Sequence, residues 1–90
     1  EQLMPSIVKT GDNENIFIID GGAHIREINQ ILSINLNAKS AKTINGFILE
    51  HIENLPRIND TINIQGHTFK IIENLDNAVK TVHLEINNEQ

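Results

Sequence analysis

TINGFILEHIENLP, residues 43–56, decides the reading of this chain. Ile44, Phe47, Ile48, His51, Ile52 and Leu55 recur at spacings of three and four, the period that puts apolar side chains on one helix face. Thr43 stands where a hydroxyl N-cap belongs, and Pro56 cannot continue a helix because it lacks an N–H and its ring clashes with the preceding turn. The spacing predicts an amphipathic helix from Thr43 to the proline. Upstream, Ile25, Ile28, Ile31 and Leu32 repeat at helical offsets after Gly21 and Gly22, which predicts a shorter helix over about residues 23–32. Residues 34–42 between the helices lack a period and read as a solvent-facing loop.

Outside this pair the period changes to that of strands. Residues 6–10 and 15–20 are β-prone runs on either side of Gly11, Asp12 and Asn13, which suit a tight reversal. Ile62 and Ile64 alternate with polar neighbours over residues 61–65, and Gly66 with His67 turns the chain. Residues 68–75 and 79–86 are two further strands joined by Asp76 and Asn77. The fold class is therefore α+β: an N-terminal β-hairpin, two helices, then a three-stranded antiparallel meander.

Ninety residues with 39% hydrophobic content make one domain with a modest core, here residues 1–90 with the core over about 16–86. That core is aliphatic, since Trp and Tyr are absent and the aromatics are Phe17, Phe47 and Phe69. A net charge of -5 without a basic stripe argues against nucleic acid as a partner. The absence of cysteine removes disulfides, thiolate nucleophiles and Cys-based zinc sites, and permits a reducing compartment. No apolar run approaches the roughly 18 residues of a membrane span, so direct membrane insertion of this segment is not expected. The first residue is Glu1 and both ends are polar, which leads us to expect a piece of a longer protein.

Chemistry-bearing residues are sparse. His24, His51, His67 and His83 are scattered and form no close ligand pair, so no metal residues are assigned. His51, on the apolar face of the second helix, is expected to be partly buried and bonded to a backbone carbonyl. Glu50 and Glu53 are helical neighbours that read as a solvated face rather than a cation site. Asp20, Gly21 and Gly22 precede a helix, where free N–H groups are able to meet an anion. Serine occurs only at 6, 33 and 40, and no Walker loop, G-x-G-x-x-G or G-x-S-x-G is present, so no catalytic or cofactor-binding residue and no cofactor is assigned and an enzyme is not expected.

Several spaced segments do carry a family likeness: Asp20-Gly21, Ile25-Arg26-Glu27-Ile28-Asn29, Thr43-Ile44-Asn45-Gly46-Phe47-Ile48-Leu49-Glu50 and Pro56. Together they resemble the transporter-associated domain of HlyC/CorC proteins over about residues 16–84, nearest its CorB-like branch, and residues 71–80 look like that branch's final hairpin. One departure is Asn59, where the family usually has glycine three residues after the proline; asparagine tolerates the left-handed conformation, so the turn is expected to survive. For Thr43, Gly46 and Pro56 structural roles suffice: a cap, close packing of the helix and its end.

The resemblance implies a bacterial integral membrane protein with a membrane region and a pair of CBS modules, this domain coming last on the cytoplasmic side of the inner membrane. It further implies a regulatory or accessory role in magnesium and cobalt transport or efflux. The implied partners are the CBS pair and membrane region of the same protein, with a homodimer as a further possibility. The family fold is classed near FAD-binding domains, so nucleotide or FAD binding is the alternative function. Few glycines and aromatics in this chain argue against a site of FAD size.

Overall fold

The computed structural model describes residues 7–10 and 15–87. Five strands and two helices follow in the order β1 (Ile7–Lys9), β2 (Ile16–Asp20), α1 (Ile25–Leu32), α2 (Ile44–Glu50), β3 (Thr61–Ile64), β4 (His67–Leu75) and β5 (Ala78–Glu85). The strands form one antiparallel sheet in the order β1-β2-β5-β4-β3, so the C-terminal strand sits centrally between the N-terminal hairpin and the rest of the meander. The α+β order expected from the sequence is the order observed. The Gly11, Asp12 and Asn13 reversal lies outside the described residues.

Register explains the layering. One row across the sheet runs Ile7, Ile19, Val82, Ile71, and its neighbour runs Lys9, Phe17, Leu84, Phe69, Ile62. Ile19, Val82, Ile71, Leu84 and Phe69 are fully buried there, under Ile25 and Ile28 of α1 and Ile44, Phe47 and Ile48 of α2. Alternate residues necessarily point the other way. Val8, Ile18, His83, Lys70 and Thr61 form one row of that opposite face, and Ile16, Glu85, Thr68 and Asn63 form the next. No described helix or strand packs on it.

Two tight turns set the meander. Asp76 and Asn77 both adopt positive φ, the twist that a two-residue hairpin favours and that Asp and Asn tolerate. The first turn falls at Gln65-Gly66, one residue earlier than Gly66-His67, because His67 pairs with Ile64 as the first residue of β4. Asn59, at φ 76, occupies the left-handed position expected of it, and its N–H donates to the Ile71 carbonyl.

The helical segment departs from the sequence reading in three respects. First, α2 ends at Glu50, well before Pro56. His51 terminates it: its backbone N–H donates to Ile48 O in a tightened last turn, and its Nδ1 lies 2.8 Å from the Phe47 carbonyl, which the ring N–H satisfies. His51 is therefore bonded to a backbone carbonyl as expected, but it is exposed, and Leu55 is exposed beyond the helix end. Second, Ile31 of α1 points outward at 57% exposure instead of joining the apolar stripe. Third, residues 34–42 are not simply solvent-facing, because Leu36 enters the core at 3% exposure. Asn29 holds it there, its side chain donating to Leu36 O (3.0 Å) and accepting from Leu36 N–H (2.7 Å).

Candidate functional site

The segments that stand out in the sequence meet at one junction. Gly21 leaves β2 so close to β5 that its N–H donates to Lys80 O at 2.6 Å. Lys80 is the extra residue of a bulge, since Glu73 pairs with Thr81 while Asn74 pairs with Val79. Asn45, one residue into α2, completes the crossing: its N–H donates to Gly21 O (2.9 Å) and its side-chain oxygen accepts the Val79 N–H (2.7 Å). Ile44 N–H meets Ala23 O, and Ile25 N–H meets Lys42 O, so the start of each helix is tied to the segment before the other. Thr43 caps α2 as expected, its hydroxyl accepting from Gly46 N–H at 3.3 Å. Gly46 gives close approach: a Cβ there would lie 2.9 Å from that of Ala41.

This arrangement corrects the anion reading of Asp20, Gly21 and Gly22. Gly22 N–H is taken by the Asp20 carboxylate, Ala23 N–H by Asp20 O and Gly21 N–H by β5, so these donors serve the turn.

Glu50 is corrected as well. It is not a solvated face residue paired with Glu53, which lies past the helix end. Its carboxylate accepts the backbone N–H groups of Lys39 (2.9 Å), Ser40 (2.6 Å) and Ala41 (2.7 Å), with the Ser40 hydroxyl nearby. The Ser40 N–H most of all, then that of Lys39, outweigh desolvation and hold the carboxyl at about 2 instead of its ordinary 4.5. A folded value below the unfolded one means that the stabilisation is complete above pH 4.5 and is lost as pH falls toward about 2. Accordingly, the Lys39, Ser40 and Ala41 amide resonances should move together as pH falls through about 2. Glu50→Gln should abolish the movement, and persistence of it in that variant would refute the clamp.

The histidines remain apart: His24 is the N-cap residue of α1, His51 ends α2, His67 opens β4 and His83 lies on the outer sheet face. Among the described residues no group of three or more His, Asp, Glu or Cys side chains converges as a metal site. A cavity of about 590 Å³ lies between the start of α1 and residues 38–42, with Arg26 and Lys42 in its lining. Nothing in the sequence pattern brings these two cations together; only the crossing of the two helix starts does.

Residues 10–88 match the CorC_HlyC transporter associated domain. The inner membrane protein YfjD of Escherichia coli is 37% identical over 73 residues, 81% of this chain. The magnesium and cobalt efflux protein CorC of Buchnera aphidicola is 36% identical over 66% of the chain, and a polyamine export protein of E. coli is 30% identical over 72%. The chain spans only 17%, 21% and 15% of the lengths of these three relatives, respectively. Among solved structures, a conserved protein of unknown function from Haemophilus influenzae superposes with a TM-score of 0.85 at 31% identity, over 92% of this chain and all of that one. The family is a transporter-associated one rather than a family of enzymes, and the chain belongs to it: this is a CorC/HlyC transporter-associated domain.

Proposed function

We propose that this domain is a regulatory module of a larger bacterial inner-membrane protein that transports or exports divalent cations, lies on its cytoplasmic side, and acts by docking on the CBS pair of the same protein. The observation that carries this reading is the uncovered face of the sheet. Ile16, Ile18 and Ile72 are only half-buried on or beside it and Val8 is 42% exposed, while every other apolar row of the sheet lies under the helices. Such a face carries its apolar side chains on β1 and β2, with Ile72 on β4, beside the polar His83, Glu85 and Lys70 of β5 and β4, the mixed character of a contact between domains. Two relatives are named for export, one of magnesium and cobalt and the other of polyamines. A domain shared by proteins of such different cargo is suited to controlling transport rather than selecting the ion. Control of this kind requires a contact with two arrangements that a ligand on the neighbouring module biases.

The test is to add the isolated CBS pair to the isotope-labelled domain. Amide shifts should appear on the outer rows, at Ile16, Ile18, Thr68 and His83, and Ile18→Glu should weaken the association at least tenfold. Shifts confined to the helical side, or none at all, would overturn the docking face; concentration-dependent self-association through the same residues would replace the CBS pair with a second copy.

A further inference from the structure

We propose that the cavity between the start of α1 and residues 38–42 binds a compact anion carrying two acidic groups, phosphate or carboxylate. In a chain of net charge -5, two of the seven lysines and arginines line this concavity, Arg26 from the first turn of α1 and Lys42 from the segment before α2, with His24 beside them. Neither the Arg26 nor the Lys42 side chain makes a hydrogen bond or ion pair with a described residue. Their charges are thus free for a ligand, although surface cations in an acidic protein commonly pair with neighbouring carboxylates. Between them Ile25, Ala38 and Ala41 supply an apolar floor.

The walls are preorganised. Asn29 fastens the connecting segment at Leu36 through two hydrogen bonds, Glu50 gathers the amides of Lys39, Ser40 and Ala41, and Ile25 N–H holds Lys42 by its carbonyl. A site whose backbone is already fixed loses little entropy on binding. Its volume of about 590 Å³ falls within the range of small-molecule sites. The charge-assisted bonds of a guanidinium and an ammonium lining the same cavity favour a ligand with two acidic groups. No phenylalanine lines the cavity and its lining includes a single imidazole, that of His24, so a base or flavin has little to stack on and the ligand is held by its acidic groups.

This site lies in the helical layer, away from the open sheet face, and stands or falls independently of the docking reading. The test is an amide-resonance titration of the chain with inorganic pyrophosphate and, separately, citrate, against sodium chloride at matched ionic strength. Saturable shifts at Arg26, Ala38, Ala41 and Lys42 are expected. Arg26→Gln and Lys42→Gln should each weaken binding about tenfold or more, as expected for loss of a charged hydrogen bond, whereas Lys70→Gln on the opposite face should leave it unchanged. Both substituted side chains are exposed, and an unaltered spectrum elsewhere verifies the fold. Saturation by pyrophosphate alone assigns phosphate chemistry and by citrate alone carboxylate chemistry. No saturable shift, the same shifts with sodium chloride, or full affinity in the two variants would overturn the site.

Discussion

Replacing Gly21 with alanine should lower the stability of the domain by about 3 kcal/mol, the top of the usual range for overpacking. A Cβ at this position would lie 1.9 Å from Val79 O, 2.9 Å from Val79 C and 3.2 Å from Lys80 O. All three are backbone atoms of the central strand, so no side-chain rotation relieves the clash. Relief requires β2 and β5 to part, which stretches the bond from Gly21 N–H to Lys80 O and draws away the Gly21 carbonyl that accepts from Asn45 N–H. For a domain of this size each kcal/mol is worth roughly 4–8 °C in Tm, so the melting temperature should fall by about 12 °C or more. Gly22→Ala is the matched control. Its nearest obstacle is the Asp20 carboxylate at 3.1 Å, a side chain able to give way, and its melt should stay within a few degrees of the parent. A Gly21→Ala melt as close to the parent as that of Gly22→Ala would remove the close approach from the account.

The same glycine shows why part of the structure was legible and part was not. Alternation at Ile62 and Ile64, helical spacing at Ile44, Phe47 and Ile48, and the Asp76-Asn77 turn each record a local constraint, and each element appears where its pattern stands. Gly21 reads locally as a strand breaker, but its requirement is imposed by Val79, which lies far along the chain. Glu50 is similar. On a helical wheel it faces solvent, and only the return of residues 39–41 past the end of α2 gives its carboxylate three donors. The end of α2 failed for a different reason: Pro56 forbids helix beyond it but does not oblige the helix to reach it. The imidazole of His51 offered the Phe47 carbonyl an earlier partner.

The segments that carried the family likeness thus have an architectural cause. Asp20-Gly21 and Thr43-Ile44-Asn45-Gly46 are the two sides of one crossing, at which Asn45 replaces a missing strand partner for Val79 N–H. That N–H lies beside the bulge at Lys80, where the ladder between β4 and β5 is irregular. Motif residues explained in this way say which fold the chain has and leave its ligand to side chains outside the crossing, here those of Arg26 and Lys42, which contribute nothing to it.

Phe47→Ala should cost about 3–5 kcal/mol, the range for deleting a fully buried phenyl ring, because the side chain is 0% exposed and lies at the centre of the helical layer. Its ring centroid is 6.0 Å from that of Phe69 and 4.8 Å from the imidazole of His51, both in tilted geometries. The cavity would therefore open between α2 and the sheet and remove the support of the residue that ends the helix. Phe47→Leu retains most of the volume and should be clearly milder. The ring-on-ring part is separable by a double-mutant cycle with Phe69→Leu, measured by urea unfolding; a coupling of about 0.5–1.5 kcal/mol is expected for such an aromatic pair. The loss should also reach Glu50, three residues on in the same short helix: in Phe47→Ala the Lys39, Ser40 and Ala41 amides should shift although none of them touches the deleted ring through a hydrogen bond. Additive effects of the two phenylalanines, together with unmoved amides at 39–41, would mean that α2 is held to the sheet by Ile44 and Ile48 and that its C-terminal turn stands without Phe47.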